Sequence, residues 1–415
     1  MKTIDFENAS FKDFENIAGL DPYGWADQWS QYVAYKSARG QMNYRFEAQS
    51  GCGPLIDLKV PGISVEHFVS LVSNDYLGFT QHPSVKAAAI ASIEKYGSGA
   101  GASPAIGGHY DFHSELEMKI AGFFKRDAAI TFTTGYTANS ATLQALLKKE
   151  DIAILDMAVH ASVQEGCLLT NTKSFPHNDM EALERVLASV RDKYRTKMVI
   201  IDGVYSQDGD LAPLDKIVSL CKHYGAYLMV DDAHGTGVVG KTGRGVIELH
   251  DLFQEVDIIS GTFSKTFAHI GGYVVASPNL VSFLKFQSRQ HIFSATATPA
   301  SACISRAIEL VDEEPQWMEK LHFNMNYLKE GLVSLGLRTT ETQSAIVPVL
   351  VGNSNKNAEI CNMLLKAGIY ANQINYPAVS RKDARIRMSV MATHEKEHLD
   401  KVLNAWEWVI VKTGI

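Results

Sequence analysis

The sequence predicts an α/β fold: a mostly parallel central sheet with helices on both faces, plus a smaller α+β C-terminal domain. Three observations predict it. Short apolar runs recur between helical patterns from about residue 80 onward, the mark of strands buried on both faces. Small polar clusters follow those runs, at the carboxyl strand ends where open parallel sheets bind ligands. After Pro299 the alternation gives way to the long helical stretch "PASACISRAIELVDEEP" and to helical patterns around short strands. The expected divisions are an N-terminal segment (1–60) with one helix, a large domain (61–305) and a small domain (306–415). The boundary between the last two falls within about 300–315.

Each element has its own signal. "HPSVKAAAIASIEKYG" carries Pro83 in its first turn and Gly97 as its stop, which punctuates a helix. "HSELEMKIAGFF" sets Leu116, Ile120 and Phe123 on one helical face. The predicted strands are "AAITFTTG" (128–135), "IAILD" (152–156), "MVIIDGV" (198–204), "YLMVDDA" (227–233), "VDIISGTF" (256–263) and "GYVVAS" (272–277). "MEALERVLASVRDKY" (180–194) is a helix between two of them. "IVPVLV" (346–351) and "RIRMSVM" (385–391) supply strands to the small domain.

Composition narrows the function classes. The 415 residues are 46% hydrophobic and 20% charged, which indicates a soluble globular protein. A net charge of -7 with scattered basic residues argues against nucleic acid or an anionic membrane as partner. The start lacks a signal-peptide pattern and no run of 18 apolar residues exists, so a cytoplasmic protein is expected. Five dispersed cysteines (Cys52, Cys167, Cys221, Cys303, Cys361) read as reduced thiols, with no zinc pattern and no metal site.

Chemistry gathers at the strand ends. In "VDDAH", Asp231, Asp232 and His234 follow buried sheet, and a desolvated carboxylate is costly unless a cation or donor meets it. Such an aspartate either caps the next loop or faces a protonated ring nitrogen. In "GTFSK", Lys265 is either a solvated loop lysine or an amine kept neutral for Schiff-base chemistry. "TTGYTANSATLQALL" places a turn at Gly135 before a helix whose free N–H groups form a phosphate cradle. Lysine, aspartate, cradle and hydroxyls together are the parts that hold pyridoxal phosphate.

Read together, "SNDYLG" (73–78), "TTGY" (133–136), "HAS" (160–162), "DGVYSQDGDLAPL" (202–214), "VDDAHGTGVVGKTGRG" (230–245), "GTFSK" (261–265) and "MATHE" (391–395) resemble the α-oxoamine synthase family. The resemblance covers about residues 65 to 405 and implies the fold-type I architecture of pyridoxal-phosphate enzymes. It implies that Lys265 holds the cofactor, that Asp231, three residues before His234, pairs with the ring nitrogen, and that His160 stacks on the ring. His234 would touch the O3′ region, and Gly135, Tyr136, Ser206 and Thr262 would contact cofactor or phosphate. Ser294 and Thr296 would complete the phosphate site of a second subunit, which implies a homodimer with shared active sites. Arg387 would grip the amino-acid carboxylate beside Asn74, with Arg385 as its rival. One departure stands out: most members have arginine after the residue at 103, where this chain has Pro104.

The resemblance implies a decarboxylative Claisen condensation. Lys265 yields its place to the amino acid and removes the Cα proton, an acyl-CoA thioester is attacked, and loss of carbon dioxide leaves a 2-amino ketone. "GTFSK", "GGYVVAS", "FSATATPAS" and "VMATHE" are most similar to bacterial serine palmitoyltransferases, so serine (or cysteate) with a long-chain acyl-CoA is expected. A lipid donor would bring a cytoplasmic enzyme to the inner membrane surface. The 8-amino-7-oxononanoate and glycine acetyltransferase branches share "VDDAHGTGV" and are the alternatives. An aminotransferase on the same fold and a non-catalytic cofactor-binding protein are the readings from other classes.

Overall fold

The computed structural model describes residues 4–415, which form two compact units. The larger comprises Asn74–Ser206 and Asp210–Leu321; the smaller comprises residues through Ser73, Gln207–Gly209 and His322–Ile415.

The larger unit is built on a seven-stranded sheet. Its strands are β1 (Ala128–Phe132), β2 (Ile152–Asp156), β3 (Asn171–Phe175), β4 (Lys197–Asp202), β5 (Tyr227–Asp231), β6 (Ile258–Thr262) and β7 (Gly272–Ala276). The order is β1-β7-β6-β5-β4-β2-β3. The pairs from β6 to β3 are all parallel, while β7 is antiparallel to both β6 and β1. Six strands therefore end on one edge and β7 begins there. The expected mostly parallel sheet is present, and the six predicted runs each contain a strand. β3 has no predicted counterpart, because "NTKSF" is largely exposed and offers no apolar run.

Helices α1 (Pro83–Tyr96), α2 (Asp111–Phe123), α3 (Gly135–Leu146), α4 (Ala161–Gly166), α5 (Met180–Ser189) and α6 (Leu214–Tyr224) also belong to this unit. Buried Ala138, Ala141 and Leu143 of α3 join Ile130, Leu155, Ile200, Met229, Ile258 and Val274 of the strands in one apolar core. Burying such side chains contributes roughly 1.5–3 kcal/mol each. Helix α5 stops at Ser189, short of the predicted 194. Cys303–Glu313 packs against α1 and α2, which carries the larger unit on to Leu321.

In the smaller unit the residues through Ser73 group with the C-terminal residues. The helix Pro22–Ser37 supplies Trp29 and Tyr32 to an aromatic cluster with Phe11 and Phe14. Lys36 from the same helix donates to the Asn355 side chain, 3.1 Å away. Strand β8 (Ile346–Leu350), β9 (Asn372–Ile374) and β10 (Arg385–Ser389) form an antiparallel sheet ordered β8-β10-β9. Among the described residues no helix is long and apolar enough to cross a membrane.

Candidate active site

Parallel register brings the chemistry together. Asp202 and Asp231, the last residues of β4 and β5, are paired neighbours, and Asp231 lies opposite Ser260 of β6. Asp231 Oδ1 accepts the Ala233 N–H (3.1 Å) and Oδ2 accepts from Asn139 Nδ2 of α3 (2.6 Å). Burial pushes Asp202 well above the usual carboxylate range, and the Asp231 charge beside it adds to the effect. Asp202 also accepts the His160 backbone N–H at 3.3 Å.

The lysine loop and the helix cradle pack as one piece. The Thr262 hydroxyl at the end of β6 donates to Gly271 O (2.9 Å), and the Phe263 N–H reaches the same oxygen (2.9 Å). A Cβ on Gly135, the first residue of α3, would stand 2.6 Å from Thr262 Cβ. A Cβ on Gly272 would stand 2.3 Å from Thr134 O. Only glycine fits at either place. Thr134 caps α3 by accepting the Thr137 N–H (3.0 Å). The first-turn N–H groups that remain are suited to an anion.

These walls enclose a cavity of about 300 Å³. Eight of the expected residues line it: Asn74, Gly135, Tyr136, His160, Asp231, His234, Thr262 and Lys265. The His160 ring is exposed to the cavity and lies edge-on to Tyr136, with centroids 5.9 Å apart. Crowding by the cavity walls holds its pKa below the usual histidine value, with Asp231 opposing and Lys265 reinforcing that shift. Asp232 points elsewhere: it is fully buried, accepts the Val246 N–H at 2.8 Å, and burial raises it to about 7.

Other expected residues are not among this lining. Ser206 follows the β4 end, while Ser294 and Thr296 sit on the partly exposed segment before Pro299. There Thr296 Oγ1 is 3.4 Å from His113 Nε2. Arg387 and Arg385 lie on β10 of the smaller unit. Arg385 is bound to the Asp208 carboxylate and to Asp383 O (2.8 Å), and Arg387 Nη1 reaches Ser389 Oγ (3.0 Å).

Four residues with no assigned role belong to the site. Tyr76 places its hydroxyl 2.6 Å from His234 Nδ1 and 3.3 Å from Asn74 Oδ1. Asn139 and Asp202 line the cavity, and Ser162 Oγ sits 2.8 Å from His160 Nδ1. All four fall inside quoted stretches, but Asn139 sits in the helical part of "TTGYTANSATLQALL", where nothing in the sequence sets it apart from its neighbours.

The residues present fit pyridoxal phosphate. An amine (Lys265), an aspartate with lone pairs beyond those given to Ala233 and Asn139, and a capped helix N-terminus all border one cavity. Gly135, with no space for a Cβ against Thr262, brings the helix N-terminus up against the end of the lysine-bearing strand.

The chain is similar to known proteins along most of its length. Residues 66–405 match the family Aminotransferase class I and II. The 8-amino-7-oxononanoate synthase of Thermoanaerobacter pseudethanolicus is 43% identical over 366 residues, 88% of this chain and 91% of that one. The Bacillus subtilis 8-amino-7-oxononanoate synthase 1 is 40% identical over 85% of this chain and 91% of its own length. Among solved structures, a serine palmitoyltransferase from S. paucimobilis with bound PLP–myriocin aldimine has a TM-score of 0.90 at 30% identity. That match covers 95% of this chain and 100% of the other. The Sphingomonas wittichii serine palmitoyltransferase scores 0.89 at 30% identity, covering 94% and 98%. The chain therefore belongs to the class I and II aminotransferase family of fold-type I pyridoxal-phosphate enzymes, and within it to the α-oxoamine synthases, acyltransferases that join an amino acid to an acyl thioester with loss of carbon dioxide.

Proposed function

We propose that this enzyme condenses alanine with the thioester of a seven-carbon dicarboxylic acid. The product is the 2-amino ketone that the name 8-amino-7-oxononanoate describes: seven carbons from the acyl group and two left from alanine after decarboxylation. The observation that carries this reading is the 43% identity across 88% of the chain, against 30% for the serine palmitoyltransferases. The expectation of serine with a long acyl chain gives way on that ground. It is kept as the second reading because the backbone match to those enzymes reaches a TM-score of 0.90.

Bound pyridoxal phosphate supplies an electron sink for the carbanion formed at the amino-acid Cα. The Asp231 carboxylate, buried and already accepting from Ala233 and Asn139, has lone pairs left that would favour a proton on the pyridine nitrogen. Lys265 anchors the cofactor, then removes the Cα proton and later returns one. The α3 N-terminus with Thr262 binds the phosphate, joined by Ser206 and by Ser294 and Thr296 of a second copy. His160 would cover the ring and donate a hydrogen bond to the acyl oxygen, and Tyr76, 2.6 Å from His234 Nδ1, would hold His234 toward the ring hydroxyl. Arg387 grips the carboxylate that leaves as carbon dioxide, a task suited to a guanidinium fork. Arg385 is already committed to Asp208.

A thiol-release assay across alanine, serine and glycine, each with seven-carbon dicarboxylic, acetyl and palmitoyl thioesters of coenzyme A, tests this. Alanine with the dicarboxylic donor should be fastest, and Lys265→Ala should lose at least about 10²–10⁴-fold. Faster release with serine and palmitoyl donor would establish the second reading. No release from any pair would defeat both. Pro104, where the resemblance expects arginine, is why the donor is varied as well as the amino acid.

A further inference from the structure

Two side chains that the chemistry above leaves unassigned link its aspartate to its histidine. Asn139 Nδ2, in the middle of α3, lies 2.6 Å from Asp231 Oδ2 and 2.9 Å from Ser162 Oγ. Ser162 Oγ in turn lies 2.8 Å from His160 Nδ1, and the Ser162 backbone N–H approaches the same nitrogen at 3.3 Å. Asn139 and Ser162 are both buried, at 2% and 0% exposure. We propose that Asn139 and Ser162 form a hydrogen-bond relay that fixes His160 as its neutral Nε2–H tautomer and makes that tautomer depend on the charge of Asp231.

The argument is one of counting donors. An ionised carboxylate only accepts, so the Asn139 group facing Asp231 must be its NH2; the flipped amide would set two oxygens against each other at 2.6 Å. The same nitrogen reaches Ser162, so its second N–H points to the Ser162 oxygen and cannot accept from it. The Ser162 proton therefore goes to its other neighbour, His160 Nδ1, which must present a lone pair. With Nδ1 occupied by a hydroxyl donor and a backbone donor, the ring proton resides on Nε2. The lowered pKa of His160 accords with a ring that stays neutral. Asn139 Oδ1 has no partner within the described residues, so the amide is held by its nitrogen alone. Neutralising Asp231 would remove the reason for that orientation, and the relay could invert. Asn139 and Ser162 are positioning residues: they act through His160 and Asp231, and a histidine that donates from Nε2 suits the carbonyl-polarising role proposed for it.

The test is 15N NMR of histidine-labelled holoenzyme at neutral pH, with His160 identified by the resonance lost in His160→Gln. The proton should sit on Nε2 in the wild type. Ser162→Ala should give a mixture of both tautomers, as should Asn139→Ala, and the double variant should differ little from either single one. In parallel, Ser162→Ala should move the pH titration of the visible cofactor band and lower kcat about tenfold with KM changed less. A proton on Nδ1 in the wild type overturns the proposal, and so does an unchanged His160 signal in Ser162→Ala or additive effects in the double variant. If the variants do not fold, the wild-type tautomer alone decides. The inference rests on the proposed role of His160, yet its readout is separate: an enzyme that condenses no substrate but carries Nε2–H defeats the function and leaves the relay standing.

Discussion

Lys265 and Asp231 stand out in the sequence because one follows and the other ends an apolar run, where a charge demands a reason, and both line the cavity. Asn139 does not stand out, since a polar residue inside a helix looks like any other until the fold brings it to Asp231, 92 positions away. Asp232 shows the same limit from the other side. The sequence sets two aspartates in tandem, and alternation along an extended chain sends one to the cavity and the other into a cage of Gly203, Gly235 and Gly245. Gly245 has φ +76, and a Cβ there would stand 1.7 Å from Asp232 Oδ2. Gly245→Ala should therefore cost more than about 3 kcal/mol, combining left-handed strain with a clash against a buried carboxylate. Adding Asp232→Ala should recover part of that loss in urea unfolding, and strictly additive costs would contradict the cage.

Among the elements, those with apolar runs were foreseen and the polar edge strand β3 was not, because an edge strand is held by backbone pairing to β2 and needs no buried face. Its far end is fastened by charge. His177, just past β3, lies 3.2 Å from Asp156 Oδ1 at the end of β2 and 2.9 Å from Asp210 Oδ2 in the loop after β4. These hydrogen bonds push His177 up to about 10 against the desolvation that opposes them. A folded-state pKa above the unfolded value of about 6.5 means this contribution to stability is complete below pH 6.5 and is lost as pH rises through about 10. His177→Ala leaves Asp156 buried without its cation and should cost on the order of 3 kcal/mol at pH 7. Denaturant midpoints of variant and wild type should converge near pH 10.5, and a gap constant with pH would contradict the assignment.

For the whole molecule, an α/β sheet with its site at the strand ends was readable from the order of apolar and polar segments. The joining of the N-terminal residues to the C-terminal ones was not, because it rests on contacts such as Lys36 with Asn355, 319 positions apart. The larger unit also exposes Phe286, Phe293 and Met118, and Phe293 immediately precedes the Ser294–Thr296 pair assigned to a second copy. Light scattering should give about twice 45.6 kDa. Mixing inactive Lys265→Ala subunits with inactive Ser294→Ala/Thr296→Ala subunits should restore turnover at one site per mixed dimer, and no restoration would mean each chain works alone. The glycine contacts among β6, β7 and α3 bear on how such an enzyme changes over generations. Because the end of β6, the cradle and the returning strand β7 admit no added atom where they meet, drift in any one is checked by the other two. Inherited variety must then accumulate where the backbone has slack, so descendants of this scaffold can trade one acyl chain for another while the cofactor end stays as it was.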